Sequence, residues 1–341
     1  MSRQNPLPEM ATTSNARVGI VIPVYNGARY LEECLASIAS QTYRGWEAVV
    51  VNNCSTDGTA GIAEAFAARD SRFRVVNCTE FLPKSENYNR AVASVSAGIE
   101  FVKIVEADNY IWPESLERML DLATADPGIG LVGSYHLYGR KVIGNPFDAK
   151  RTVFLGNEVR RDHLLTDAFY LGVPTVMLFR AKALSEVTPH FRSGPLFFDD
   201  IELYFRMLDK WKYGFVHQIL TFVRDDNGGV FTGIQNFEFA QAHRYVLTMQ
   251  FGPDVLEPDE LSKAREKWKR EYLQCLAHAA IAGRSEQYWE FQKRVFHLIG
   301  EELGYRNLVG PVVTKLIEML LNPKSTIEGL LRRLRRHRVW A

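Results

Sequence analysis

The chain has 341 residues, 46% apolar and 24% charged, with a formal net charge of +1 at pH 7. That length accommodates a large α/β domain with an appendage, and so neutral a chain has no global field to recruit nucleic acid. Four scattered cysteines (Cys34, Cys54, Cys78, Cys275) and eight dispersed histidines exclude a disulfide scaffold and a His-x-x-x-His zinc hydrolase, and they fit a reducing cytoplasm.

Residues 1–16, rich in Pro, Ser, Thr and Asn, lack the layout of a signal peptide and read as a flexible tail. Val18–Val24 is a near-continuous apolar run, as expected of a parallel strand covered on both faces. Tyr25-Asn26-Gly27 is a turn, and Leu31, Cys34, Leu35 and Ile38 then recur at helical spacing. Trp46–Val51 is a second strand, followed by a polar turn, Asn52 to Thr59, in which Ser55 or Thr56 is expected to cap the next helix. That helix should bury Ile62 and Phe66. Arg74–Val76 reads as a short strand, and a polar turn at Lys84–Asn87 leads into a helix through Ala91 and Val95.

Phe101–Val105 is a further strand, ending in Glu106-Ala107-Asp108-Asn109, with a helix expected over Pro113–Ala125. Ligands of open α/β sheets bind beyond the carboxyl ends of strands, so chemistry is expected here. On an extended backbone Glu106 and Asp108 would share a side, and two close carboxylates repel unless a cation relieves them. Two readings stand: a hard divalent ion gripping a diphosphate, or a helix cap by Asp108 or Asn109. Strand–helix alternation to this point implies a parallel sheet with right-handed crossovers.

From Ile129 the rhythm changes. Ile129–Tyr138 reads as a strand, Gly139–Gly156 as a long polar loop, and Thr175–Arg180 as a strand approached by Gly172-Val173-Pro174. Phe197-Phe198-Asp199-Asp200 leads into a helical run, Ile201–Trp211, and Phe215–Val223 is strand-like, ending in Arg224-Asp225-Asp226. Beyond about residue 235 the pattern is helical. Trp46, Trp112, Phe197 and Phe198 read as packing, and Arg160-Arg161 as a solvated charge pair. The last segment, Ser325–Arg338, opens with a Ser-x-x-Glu box and combines an apolar stripe with five arginines. A packed terminal helix and an anionic-membrane contact are both open for it. No run of about 18 apolar residues occurs, so no membrane-spanning helix is expected.

Neither Gly-x-Gly-x-x-Gly nor Gly-x-x-x-x-Gly-Lys-Ser/Thr follows the first strand. Neutralising a diphosphate therefore falls to a metal on acidic residues, helped by Arg90 or Lys84. That excludes dehydrogenases and P-loop enzymes, and a nucleotidyltransferase would need a basic glycine-rich loop that is missing. Asp199-Asp200 offers either a general base for an acceptor or a helix-start carboxylate favoured by the dipole.

Val18–Tyr43, Val51–Thr59, Glu86–Arg90, Glu106–Asn109, Gly172–Pro174 and Asp199-Asp200 with Arg206 together resemble family-2 glycosyltransferases of the GT-A fold, over residues 17–232. The resemblance implies an α/β fold with a mostly parallel, helix-flanked sheet, and a helical C-terminal region over 235–341 after a transferase domain at 17–234. It implies an inverting transferase using a nucleotide-diphospho-sugar donor, Mg²⁺ or Mn²⁺, and a glycan or glycolipid acceptor. Pro23, Tyr25, Asn52 and Asn53 would hold the nucleoside, with Asn89, Arg90 and Ala107 completing the nucleotide set. Asp108 falls on the principal metal-binding aspartate, Glu106 beside it stands for the first Asp of Asp-x-Asp, and Asp200 falls on the catalytic base.

Three positions depart from the family pattern. Asn52 replaces an aspartate, so base preference is expected to relax or change relative to uridine. Glu106 has the longer side chain with the same ligand chemistry. Asp226 or Asp225 stands near a usual histidine and is expected to suit the same hard ions. The chain is expected to be cytoplasmic, with a peripheral contact on the inner face of the cell membrane through Ser325–Arg338, serving surface polysaccharide or glycolipid assembly. The competing expectation is a nucleotide-sugar-binding homologue without turnover.

Overall fold

The computed structural model of the chain describes residues 15–143, 147–168, 171–194, 198–225 and 240–321. It divides into two compact units, Met1–Gly228 and Gly229–Ala341. The expected boundary near 235, the tail up to residue 14, Asp226, Phe197 and Ser325–Arg338 lie outside the described residues.

In the first unit, β1 (Val18–Val24) is buried along its whole length, and β2 (Trp46–Asn52) nearly so, as continuous apolar runs require. Between them α1 (Ala28–Ala39) buries Leu31, Cys34, Leu35 and Ile38 against the sheet. Next come α2 (Thr59–Arg69), β3 (Phe73–Asn77), α3 (Lys84–Ala93), β4 (Phe101–Ile104), β5 (Tyr110–Ile111) and α4 (Ser115–Ala125). β6 (Ile129–Tyr138), β7 (Lys141–Ile143), β8 (Val153–Phe154) and α5 (Gly156–Leu165) follow, then β9 (Leu178–Arg180), α6 (Ala181–Ser185), α7 (Asp199–Met207) and β10 (Lys212–Val223).

The main path of the sheet runs β3-β2-β1-β4-β9-β6-β10-β5, with β7 beside β6 and β8 beside β10. β3, β2, β1 and β4 are parallel, whereas β9 is antiparallel to both β4 and β6. The crossover pattern that implies a parallel sheet therefore holds for the N-terminal half, and one reversed strand joins the halves.

Several local expectations change. The stretch expected as a loop over 139–156 contains two short strands, because Gly139 (φ +55°) turns the chain so that Tyr138 pairs with Lys141. The strand expected from Thr175 begins only at Leu178, since Pro174–Val176 forms a 3₁₀ turn. α2 starts at Thr59 after Gly58, so neither Ser55 nor Thr56 caps it. α4 has Glu114 at its N-cap without a side-chain cap, which removes the capping reading of Asp108 and Asn109. Arg160 is not solvated: it is 2% exposed and pairs with Asp209 at 2.6 Å. Ala16, expected in the tail, is buried in the core.

Lys103 is the least expected core residue. It lies in β4, is fully buried, and points its Nζ at Met119 Sδ, 3.6 Å away. Burial pushes its amine down to about 7.

The second unit is helical: α8 (Ala240–Val255), α9 (Pro258–Ile281), α10 (Glu286–Leu298) and α11 (Tyr305–Leu321). Glu257 and Glu260 form a capping box at the start of α9, and Ser285 caps α10. Its core gathers Tyr245, Trp268, Tyr272 and Phe296, the last two stacked at 5.3 Å. Among the described residues no helix is long and apolar enough to cross a membrane.

Candidate active site

The carboxyl ends of β1, β2 and β4 lie side by side, because β1 pairs with both others in parallel. β1 ends in Tyr25-Asn26, where Asn26 takes φ +51°, and β2 ends in Asn53-Cys54, where Cys54 takes φ +59°. Three side chains of the second turn satisfy the start of α1. Ser55 Oγ accepts from the Asn26 N–H (2.9 Å), Thr59 Oγ1 from Gly27 (2.9 Å), and Asp57 from Ala28 (3.1 Å). The donors that would cradle a phosphate at this helix start are thus already taken.

The nucleotide-binding candidates separate into two groups. Tyr25 is 51% exposed and meets Phe81 edge-on at 4.9 Å, an aromatic pair open to solvent at the end of β1. Pro23 is buried in β1, and Ala107 is half-buried. Asn52 is buried; it donates to Asn77 Oδ1 (2.9 Å) and accepts from the Ser55 N–H (3.1 Å). Two other amides are committed to backbone. Asn53 donates to the Leu82 carbonyl (2.8 Å) and accepts from the Leu82 N–H (3.0 Å), bracing the segment that carries Phe81. Asn89 does the same with Phe191 (2.7 and 2.9 Å). Both are expected from the sequence to touch the nucleotide, yet their amides act as clamps between segments. Arg90 donates to the Glu80 carbonyl at 3.2 Å.

Beyond β4 the chain is not extended. The Asn109 N–H donates to the Glu106 carbonyl (2.9 Å), closing a turn over Glu106–Asn109, so the two carboxylates are not placed by strand alternation. Glu106 Oε1 accepts from the Tyr88 hydroxyl (2.9 Å), and Oε2 accepts from Asn109 Nδ2 (3.0 Å) and Thr175 Oγ1 (3.1 Å). Three of its roughly four acceptor sites are therefore used inside the protein. Glu106 therefore anchors the turn from within, beside Asp108. Burial, then the nearby Asp108 charge, raise its carboxyl, while Lys84 and its hydrogen bonds oppose them. Arg224, just past β10, fastens the turn from outside. Its N–H donates to Asn109 Oδ1 (3.0 Å), its Nε to the Asp108 carbonyl (2.9 Å), and its guanidinium pairs with Glu33 (2.5 Å).

At the start of α7, Asp199 and Asp200 are both buried, and Phe198 occupies the N-cap without a side-chain cap. Asp199 faces α3: Lys84 Nζ lies 3.2 Å from one oxygen and Ser85 Oγ donates to the other (2.8 Å). Burial raises the Asp200 carboxyl to about 7; Asp199 and Glu106 add to this, and Lys84 and the Ile201 N–H oppose it. Lys84 links the two acidic groups electrostatically. Burial alone would lower its ammonium, but Asp199, Asp200 and Glu106 together raise it. Arg206, nearly two turns further along α7, donates to the carbonyls of Pro189 and His190. Tyr88, Thr175 and Arg224 have no role in the sequence reading, although Tyr88 and Thr175 stand within or beside its motifs.

Among the described residues no group of three or more His, Cys, Asp or Glu side chains is arranged to hold a metal ion. The donor chemistry nevertheless fits a hard cation. One half-buried carboxylate, Asp108, stands beside a carboxylate whose oxygens are mostly used, and no imidazole or thiolate competes in the turn. Magnesium-like ions are held by one or two carboxylates plus substrate phosphates rather than by an all-protein cage.

An exposed aromatic pair beyond β1 and β3, an acidic turn beyond β4 and a buried aspartate at the start of α7, linked to α3 through Lys84, stand on a sheet of GT-A type. Residues 19–188 match the family described as Glycosyl transferase family 2, and the chain belongs to that family. It is 24% identical over 286 residues to the glycosyltransferase GlyG of Streptococcus pneumoniae serotype 4, covering 79% of this chain and 92% of that one. It is 25% identical over 176 residues to a putative teichuronic acid biosynthesis glycosyltransferase, TuaG, of Bacillus subtilis, covering 52% and 67%. Among solved structures, S. aureus TarS in complex with UDP-GlcNAc shares the fold at TM-score 0.61 and 17% identity, over 83% of this chain and 81% of that one. A mannosyltransferase from Pyrobaculum calidifontis, in complex with GDP-Man and Mn²⁺, does so at TM-score 0.54 and 20% identity, over 90% and 88%.

Proposed function

We propose that this glycosyltransferase moves a sugar, with inversion, from a nucleotide-diphospho-sugar to a hydroxyl of a surface glycan or glycolipid. The setting is the inner face of the cell membrane, with Ser325–Arg338 meeting anionic lipid. The observation that carries the mechanism is Asp200: a buried carboxylate, ionising near pH 7, that shares Lys84 with the Glu106–Asn109 turn. The relatives add that TarS binds UDP-GlcNAc, that the archaeal enzyme binds GDP-Man with Mn²⁺, and that TuaG is named for teichuronic acid synthesis.

In this reading the nucleoside rests at the ends of β1 and β2, with Tyr25 and Phe81 offering an aromatic face and Asn52 a carboxamide. Asn53 and Asn89 act indirectly, by fixing the segments around Leu82 and Phe191. Asp108 would hold Mg²⁺ or Mn²⁺ together with the donor phosphates, with Asp226, from its place in the sequence, a candidate second oxygen donor. When bound, that ion neutralises charge on the leaving diphosphate. Glu106 supports Asp108 by fixing the turn. Asp200 takes the proton from the acceptor hydroxyl as its oxygen bonds to the anomeric carbon, on the face opposite the departing diphosphate. Lys84 and Ser85 hold Asp199, and the Lys84 charge favours the ionised form of Asp200 against its burial.

Release of nucleoside diphosphate from a panel of nucleotide sugars, with and without Mn²⁺, tests this. One or more donors should be consumed in a metal-dependent manner when a hydroxyl acceptor is supplied. Donor binding without turnover under every acceptor condition would reject the transferase mechanism, and retention of anomeric configuration would reject Asp200 as the base.

A further inference from the structure

α11 carries an apolar face that nothing among the described residues covers. None of its 17 residues is buried, although the helix packs along α9. Tyr305 is 92% exposed, Leu320 79% and Leu321 81%, with Val309, Val313 and Ile317 between them. At about 100° per residue these six fall within an arc of about 160° on a helix about 25 Å long. Asn307, Leu308, Pro311, Val312, Lys315 and Met319, on the other side, are the partly covered positions. An uncovered apolar stripe of this length on a polar protein marks an interaction surface.

The charge of the adjoining sequence identifies the partner. Within the 20 residues after Leu321 come Lys324, Arg332, Arg333, Arg335, Arg336 and Arg338 against a single acid, Glu328. A second copy docking face to face in parallel would bring two such runs together at a cost in repulsion, and an antiparallel copy would leave both runs without a countercharge. A surface that is apolar in depth and anionic at its rim satisfies both parts of the sequence at once. We infer that α11 is the apolar half of a membrane-docking element, lying in the headgroup region of an anionic bilayer next to the arginine run. This deepens the membrane contact proposed above for Ser325–Arg338 and is independent of the transfer chemistry.

Flotation of the full chain with vesicles of phosphatidylcholine alone, or with 30% phosphatidylglycerol, tests the inference at low and high salt. The triple variant Val313→Glu, Ile317→Glu, Leu320→Glu alters exposed positions only, and Ile317→Ser with Leu320→Ser is the milder form. The parent should bind the anionic vesicles, and the triple variant should lose at least about tenfold in partitioning, the serine variant less, with melting temperature unchanged. Replacing the five arginines by Gln should also weaken binding, since each basic residue near an anionic surface contributes roughly fivefold. If the triple variant floats as well as the parent while the arginine variant does not, α11 is excluded and the terminal contact stands. If the parent never floats, both are excluded. A parent that sediments as a dimer, and a triple variant that sediments as a monomer, would assign the face to a second copy and overturn the inference.

Discussion

Asp200 ties rate and stability to pH through one ionisation. Its carboxyl is raised to about 7, first by burial and then by Asp199. The base is competent only when ionised, so kcat/KM should fall about tenfold per pH unit below that value. Asp200→Asn should bind donor and metal as the parent does, yet turn over about 10²–10⁴ times more slowly, with Asp199→Asn milder; single-turnover kinetics beside calorimetry reads both. Equal loss in both variants would remove the assigned register. The stability sign is opposite to that of an ion-paired carboxylate. A raised folded pKa favours the fold at low pH, and that contribution is lost as pH rises from about 4 to about 7. Asp200→Asn should therefore be the more stable protein at pH 8, by at most roughly 4 kcal/mol, with the gap closing near pH 4. Lys103 obeys the complementary rule. Its folded amine is lowered to about 7, so its contribution is complete above about pH 10 and is lost as pH falls towards 7. Lys103→Met should raise stability at pH 7 by a few kcal/mol and flatten the profile between pH 7 and 10. Urea melts at several pH values decide it, and an unchanged profile would mean the amine reaches water.

The Glu106–Asn109 turn is the element on which donor binding and folding meet. Glu106 accepts from α3 through Tyr88, from its own turn through Asn109, and from the 3₁₀ turn through Thr175. Glu106→Ala takes the acceptor from the Tyr88 and Thr175 hydroxyls and one of two from Asn109 Nδ2, and should cost roughly 2–4 kcal/mol. Asp108→Ala leaves the three hydrogen bonds to Glu106 in place, and should keep the fold intact while abolishing Mn²⁺-dependent donor binding. Melting curves with Mn²⁺ titration calorimetry separate the two roles. Unchanged Mn²⁺–donor affinity in Asp108→Ala would end its assignment as the metal ligand. The Asn53–Leu82 clamp has an analogous consequence. Asn53→Ala should free the segment bearing Phe81, seen as faster amide exchange around Leu82 and weaker donor binding without loss of the sheet.

For the whole molecule, the transfer reading requires that the folded chain bind a nucleotide sugar. A thermal-shift panel of UDP-, GDP- and dTDP-sugars should give one donor class that stabilises by about 2.7 kcal/mol at a hundredfold excess over its Kd, and only with Mn²⁺ or Mg²⁺. Because Asn52 presents an uncharged amide already bonded to Asn77 and Ser55, selectivity for uridine should be weak or absent. Strict uridine selectivity, unaltered in Asn52→Asp, would show that this position does not read the base.

What the sequence determined by itself was local. The continuous apolar runs of β1 and β2, the α1 stripe of Leu31, Cys34, Leu35 and Ile38, and the turns beyond both strands follow from spacing along a few residues. So does the position of an acidic turn after β4. What only the tertiary structure decided involves partners far apart in the chain. Glu106 and Thr175 are separated by 69 residues, Lys84 and Asp199 by 115, and Asn109 and Arg224 by 115. No periodicity reports such pairings, so the internal hydrogen bonds by which Glu106 anchors its turn and Asn53 and Asn89 join distant segments are visible only in the fold. The same holds for β9, whose reversed direction depends on its neighbours in the sheet, and for Lys103, which β4 carries into the core because that strand, between β1 and β9, is buried at all four positions. A side chain's type is written in the sequence, but whether its hydrogen-bonding capacity is already spent depends on which segments the fold brings against it.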